Sequence, residues 1–324
     1  MKTFSAVVAV VVVLTLCACD GQGSMLPKSG GRPYEVLVVS GRDGGCGRQL
    51  VEALSQDAAG LPQPEPQFDV SLIDSANFNQ AARLARAIVI VTVNPEQFTQ
   101  TRIRYEKNVW ARPQMVAYVN TPSVQALRGD LAKVSRQLTM LFTRAEINAA
   151  IARLSDGGNG KASDTIAAMF GWSMKVPADM KAGKRGDNFI WLSNNASSGM
   201  RNLCVYSYPG DSLVPARALA ARDSVMKANI PGERDGMYMQ TAAGTMACGM
   251  SNEKGRTVMI ARGLWEMRGD VMGGPFVSHS IVDTLRHKVI VAEAFVYAPE
   301  MKKRNLLRQV EAALYTLAKA DKSK

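Results

Sequence analysis

Seven consecutive residues, Ala87-Ile88-Val89-Ile90-Val91-Thr92-Val93, carry a single polar side chain, a threonine. A strand with one wet face alternates apolar and polar residues. An unbroken β-branched run instead fits a strand covered on both faces, the situation in a parallel sheet. Val36-Leu37-Val38-Val39 is a second such run, and Gln114–Val119 reads as a further strand. Phe68-Asp69-Val70-Ser71-Leu72-Ile73 alternates and suits a half-covered strand. Between these runs, helices are expected over Arg48–Ala58, Asn77–Leu84 and the polar stretch Arg102–Val109. A longer helical region runs from Ser123 towards Leu154. Within it Thr143-Arg144-Ala145-Glu146 matches a capping box, which predicts that a second helix starts there. Strands and helices in alternation predict an open α/β lobe with a mostly parallel sheet over residues 33–154.

Ser155–Ser163 is rich in glycine, serine and asparagine and marks the boundary between two lobes. Beyond it the pattern changes. A short helix over Asp164–Phe170 leads into Trp172–Val176 and Pro177. Strands are expected near Asn188–Ser193, Asn202–Tyr208, Met237–Thr241, Thr257–Trp265, Phe276–Asp283 and Lys288–Tyr297. Pro215 opens a helix that runs to about Asn229. Clustered strands with few helices predict a mostly antiparallel sheet, so residues 164–324 read as an α+β lobe and the whole chain as α+β. A closing helix over Glu300–Ala318 places Leu306, Leu307, Val310, Leu314 and Leu317 on one face. Its other side carries Lys302, Lys303, Arg304 and Arg308. It reads as a solvated face, with attraction to anionic head groups as the alternative.

The start of the chain sets the expected address. Lys2 precedes an apolar run from Ala6 to Leu14, followed by Leu16-Cys17-Ala18-Cys19. A short positive segment and a compact apolar core mark an export signal, too short for a membrane span of ~20 residues. The four residues ending at Cys19 resemble a bacterial lipobox. That resemblance implies cleavage after Ala18, a signal peptide over residues 1–18, and diacylglyceryl and palmitate-type acylation of Cys19. Two or more acyl chains hold a protein stably on a membrane where one does not. The expected location is the bacterial cell envelope, with inner and outer membrane both open. Residues 19–32 read as a flexible tether, with a mean reach on the order of 20 Å. The formal net charge of +11 does not point to nucleic acid in an exported chain, and aromatic residues make up only 6%, which leaves no evident stacking platform. Of the cysteines beyond Cys19, a Cys204–Cys248 bridge stands level with three unpaired thiols at Cys46, Cys204 and Cys248.

Candidate chemistry is sparse. In the first lobe Ser40, Asp74, Asn94 and Asn120 fall at the carboxyl ends of the strands, where α/β lobes bind ligands, and also suit turns and caps. The turn Gly41–Gly47 lacks both the Lys-Ser/Thr of a phosphate loop and the third glycine of a dinucleotide fingerprint, so it reads as a plain glycine turn. In the second lobe Met272-Gly273-Gly274-Pro275-Phe276 suits either a ligand-binding loop or a strained bend. It makes Trp265, Gly273 and Gly274 the ligand-binding candidates. His279, Asp283 and His287 recur every four residues near an expected hairpin, which reads as a rim with incidental histidines rather than a metal site. With two histidines in the chain, the search for a catalytic base is short. Glu266 and His279 are the catalytic candidates. No metal and no cofactor are expected.

Several stretches resemble one family of bacterial lipoproteins of Bacteroidetes, the domain of unknown function 4837. They are Gly263-Leu264-Trp265-Glu266-Met267-Arg268-Gly269-Asp270-Val271-Met272-Gly273-Gly274-Pro275-Phe276, then Phe295-Val296-Tyr297-Ala298-Pro299 and Lys302-Lys303-Arg304. Asp187–Leu192, Tyr208-Pro209, Arg222-Asp223-Ser224 and Gly60–Pro66 fit it too, so the resemblance spans nearly the whole mature chain. It implies a lipoprotein setting and a shared architecture, and assigns no activity. The resulting expectation is a non-catalytic envelope protein that binds a protein or glycan partner. A hydrolase acting on envelope material, with a site in the C-terminal lobe, is the alternative.

Overall fold

The computed structural model describes residues 26–41 and 45–320. The apolar run, Cys17 and Cys19 lie outside the described residues, as do Arg42–Gly44 of the glycine turn. Among the described residues, no helix is long and apolar enough to cross a membrane.

The first lobe contains β1 (Glu35–Ser40), α1 (Gly45–Leu54), β2 (Asp69–Asp74), α2 (Gln80–Arg83), β3 (Ala87–Val93), β4 (Arg102–Lys107), β5 (Met115–Thr121) and α3 (Val124–Asp156). The sheet runs β2-β1-β3-β5-β4, parallel except for β4, which pairs antiparallel with β5 at the edge. One face packs beneath α1 and α3 around Val36, Val38, Leu50, Val89, Leu127, Leu138 and Phe142. The other carries Val39, Ile88 and Val116 under Phe78 and Trp110. Gly47 lets α1 lie on the sheet, since a Cβ there would sit 2.6 Å from Leu72 Cδ1 and 2.9 Å from the Ser40 Cβ.

Three local expectations change. Arg102–Val109 is expected as a helix, but Arg102–Lys107 is strand β4. Its alternation of Arg102, Arg104 and Glu106 with Ile103 and Tyr105 has the two-residue period of an edge strand. The capping-box reading at Thr143 also fails. A single helix of 33 residues starts at the Ser123 cap, whose Oγ accepts from the Ala126 N–H, and continues through Thr143. Glu146, the acid of the supposed box, instead accepts two hydrogen bonds from the Arg86 guanidinium at 3.0 and 2.7 Å. Finally, the segment read as tether is already tied down before Arg32. Arg112 N–H donates to Pro27 O, Ser29 N–H to Arg112 O and Gly30 N–H to Leu84 O.

The second lobe contains α4 (Gly160–Phe170), β6 (Trp172–Ser173), β7 (Ala182–Gly186), β8 (Phe189–Ser193), β9 (Met200–Pro209), α5 (Pro215–Asn229), β10 (Tyr238–Thr241), β11 (Ala247–Glu253), β12 (Arg256–Arg268), β13 (Gly273–Asp283), β14 (Lys288–Tyr297), α6 (Arg304–Leu314) and β15 (Ala318–Lys319). Its antiparallel sheet runs β10-β12-β13-β14-β9-β8-β7, and β11 shares the β12 edge with β10. The expected α+β class and the two kinds of sheet are both present. One face of the sheet lies under α4 and α6, with Ile166, Val205, Val277, Ile290, Val310 and Leu314 in an aliphatic core. The opposite face lies under α5 and is richer in aromatic residues and methionine: Phe189, Tyr206, Met226, Met239, Trp265, Phe276 and Phe295.

The basic side of α6 is not a solvated face. Lys303 and Arg304 are buried at 6% and 4% exposure, because this side docks on the first lobe. Glu65 caps α6 from that lobe, accepting from the Lys303 N–H at 2.6 Å and the Arg304 N–H at 3.0 Å. A carboxylate at a helix N-terminus satisfies orphan amides and meets the positive end of the dipole. Arg304 in turn reaches Asp69 at 2.6 Å.

Candidate functional site

Four strands and a turn leave a cavity of about 330 Å³ on the α5 face. Its walls come from Trp191 on β8, Met200 and Asn202 on β9, Phe295 and Tyr297 on β14, and Trp265 and Met267 on β12. Met239, Ile230 and Met272 close it, with the exposed acids Glu233 and Asp270 at its rim. The rings are mutually fixed. Trp265 lies edge-on to Phe295 at 5.6 Å between centroids, and Trp191 and Tyr297 stand 6.4 and 6.2 Å from Phe295 and Trp265 respectively. Such arrangements favour the offset and edge geometries of aromatic quadrupoles.

The Met-Gly-Gly-Pro-Phe block explains how Trp265 gets there. Trp265 is opposite Gly274 in the β12–β13 register. Its indole N–H donates to Val296 O on β14, one strand further on, at 3.2 Å. The ring therefore passes over β13 where a side chain would stand. A Cβ on Gly274 would collide with the Val296 carbonyl oxygen and come within 3.1 Å of the Trp265 Nε1. At Gly273 a Cβ would lie 2.8 Å from Trp265 O. Gly274 shapes the cavity floor without lining the cavity itself, while Gly273 is opposite Glu266 on the other face.

Asn202 is the polar element. It is fully buried, and its Oδ1 accepts from the Trp191 Nε1 at 3.0 Å. That bond fixes the amide orientation, and its Nδ2 has no hydrogen-bond partner. An unpaired buried amide donor costs about 1–3 kcal/mol, so it marks a place where a hydrogen-bond acceptor is missing. The resemblance motifs contain Trp191, Trp265, Phe295 and Tyr297, but nothing singled out Asn202. It stands beside Arg201 in β9, and nothing in its linear neighbourhood marks it out.

The two catalytic candidates are not brought together. Glu266 lies on the face opposite Trp265, where its Oε1 accepts from Gln240 Nε2 at 2.7 Å. His279 pairs with Ile260, six residues along β12 from Glu266, or about 20 Å at the rise of a strand. His279 is buried against Tyr315, with ring centroids 4.6 Å apart, and its Nε2 has no partner. Burial lowers its pKa to about 4, with Arg262 adding to the effect and Glu311 opposing it. The hairpin does turn after Asp283, yet His279 stands opposite Ala292. His287 is exposed and contacts Asp211 at 2.8 Å, while buried Asp283 accepts from the Trp172 indole N–H at 3.0 Å. Among the described residues, no group of three His, Cys, Asp or Glu side chains could hold a metal ion. Cys204 and Cys248 are both free. β9 and β11 are four strand spacings apart, ~19 Å, far beyond the ~7 Å Cα limit of a disulfide.

Two of the four strand-end residues of the first lobe, Asp74 and Asn94, serve local turns. Asp74 accepts from the Ala76 N–H, and Asn94 accepts from the Glu96 and Gln97 N–H groups. Ser40 is buried beside Gly47, and Asn120 is half-buried in β5 opposite Arg102. An open cleft of about 630 Å³ lies instead by the amino ends of β1 and β2, between Gly31, Glu35, Asp69 and Arg86.

In comparison with known proteins, each lobe matches the model of a domain of unknown function. Residues 159–316 match the model of a domain of unknown function, DUF4837, and residues 29–155 match that of another, DUF8532. The resemblance seen in the sequence therefore holds for the second lobe. The Gly60–Pro66 stretch lies under the other model. No curated protein matches the chain. A Bacteroides thetaiotaomicron VPI-5482 protein, solved by crystallography at 1.50 Å resolution, is 13% identical over 47% of this chain, with a TM-score of 0.25. The match covers 46% of that protein's length, and a likeness this slight carries no argument about fold or function. The C-terminal lobe thus matches the DUF4837 model and the N-terminal lobe the DUF8532 model.

Proposed function

We propose that this chain is a lipid-anchored protein of the bacterial cell envelope that binds a ligand without transforming it, and that the aromatic cavity of the second lobe is its binding site. The observation that carries the reading is the unpaired Nδ2 of Asn202 within a cavity otherwise walled by aromatic rings and methionines. Pockets of this kind gain affinity from apolar contact and orientation from a few polar groups. Methionine side chains adapt to varied apolar shapes. The ligand class that fits is a neutral apolar or aromatic group bearing one carbonyl or hydroxyl acceptor. Glu233 and Asp270 at the rim disfavour an anionic one. The lipid anchor rests on the residues around Cys19.

The test titrates the full chain with octanamide and N-benzylacetamide while following tryptophan fluorescence. The expected result is a saturable change that Asn202→Leu removes while leaving the circular dichroism intact. Absence of saturation with both amides, or equal binding by the variant, overturns the site. For the anchor, Cys19→Ser should release the protein from membranes or block its processing. Unchanged membrane retention of a correctly cleaved variant overturns that part.

A further inference from the structure

A second cavity, of about 170 Å³, lies between the lobes and has the opposite character. Arg262 of β12 and Arg304 and Arg308 of α6 line it together with Tyr34, Thr143 and Glu311. Two of the three guanidinium groups are paired with carboxylates. Arg262 forms a two-point ion pair with Glu311, and Arg304 bonds Asp69. Burial works against the charged form of Glu311, but the Arg262 charge and hydrogen bonds prevail and hold its pKa below the ordinary value.

Arg308 differs. Its Nη1 donates to the Gln67 carbonyl at 2.9 Å, and its guanidinium lies 4.2 Å from the centroid of the Tyr34 ring. Among the described residues, no carboxylate forms an ion pair with it, and no acceptor takes a hydrogen bond from its Nε or Nη2. Burial lowers its pKa to about 10, opposed by Tyr34 and Glu311 and assisted by the Arg304 and Arg262 charges. Thr143 is the other unmatched group. Its Oγ1 is buried and has no hydrogen-bond partner. A cavity that holds a fork of unused guanidinium donors, a free hydroxyl and more positive than negative charge lacks an anion of complementary shape.

We infer that the interlobe cavity binds a small oxyanion of phosphate size, held by the free donors of Arg308 and by the Thr143 hydroxyl. The site is independent of the aromatic cavity, which lies on the other face of the sheet. Because Thr143 and Tyr34 come from the first lobe and Arg308 from the second, an anion bound there links the two lobes. Its affinity would then appear as stability of the whole molecule.

The experiment measures thermal unfolding of the full chain in increasing inorganic phosphate, against chloride at matched ionic strength. The expected result is a Tm that rises with phosphate and not with chloride, a response lost in Arg308→Gln and weakened in Thr143→Val. A Tm indifferent to phosphate, or an equal rise in Arg308→Gln, overturns the site. If Arg308→Gln does not fold, Thr143→Val decides: a diminished response supports the site and an unchanged one overturns it. A sulfate titration distinguishes a general oxyanion site, where both anions raise the Tm, from one selective for phosphate.

Discussion

The two faces of the C-terminal sheet are built on different terms. Under α6 the core is mostly aliphatic, and its arginine–carboxylate cluster lies at the border with the first lobe. Under α5 the sheet buries a charged network at its centre. Arg222, at 1% exposure, donates to both oxygens of Glu293 at 3.1, 3.0 and 2.7 Å, and to the Thr241 hydroxyl at 2.9 Å. The same guanidinium lies 3.8 Å from the centroid of the Phe276 ring. Beside this network the face stays open as the aromatic cavity. One face is filled for stability. The other combines a costly ion pair with unfilled space, and that combination locates the candidate ligand site.

The sharpest way to break this comparison is to remove half of the central pair. Arg222→Met leaves Glu293 buried without its partner and should cost about 3–5 kcal/mol in denaturant unfolding. Adding Glu293→Leu should recover much of that loss, because paired removal leaves no orphaned charge. A double variant no more stable than the single one would mean that the face depends on the pair for more than charge balance.

A smaller effect belongs to the α6 face. His279 is surrounded by Glu311, Arg262, Glu253 and Tyr315, and its pKa is lowered to about 4. A lowered histidine pKa means that the unfolded chain takes up the proton first. Stability from this group is complete above about pH 6.5 and is lost as pH falls towards 4, a total of about 3 kcal/mol. Unfolding free energies measured across that window should fall more steeply in the wild type than in His279→Leu. Parallel pH profiles would show that the imidazole is solvated.

The mildest test concerns the cavity floor. Gly274→Ala forces a methyl group against the Val296 carbonyl and the Trp265 indole. It should cost about 1–3 kcal/mol, as overpacking does. It should also shift the tryptophan emission by displacing the indole from its hydrogen bond. An unchanged spectrum would separate the glycine from the placement of Trp265.

The architecture was legible where burial writes a simple period. The runs at Val36 and Ala87 became β1 and β3, and Pro215–Asn229 became α5 with the expected limits. Polarity misled at Arg102–Lys107, since an edge strand can be charged on its open positions. β7 left no mark in the sequence because Ala182–Gly186 has little apolar content to pattern. For the candidate site, the aromatic residues stood in motifs, but their convergence depends on register across four strands. Asn202 draws its meaning from an absent partner, which a linear sequence does not display. Arg304 and Arg308 looked like solvent-facing charge because the surface that covers them belongs to a distant stretch of chain.

Glu65 carries a last consequence. The helix that seals the second lobe begins on a carboxylate that the first lobe supplies. The family boundary between residues 155 and 159 is thus a seam in the chain but not in the molecule. A fragment cut there would present an uncapped helix and a cluster of stranded arginines to water. Each lobe's surface at the seam is completed by the other, through the Glu65 cap and the Arg304–Asp69 pair.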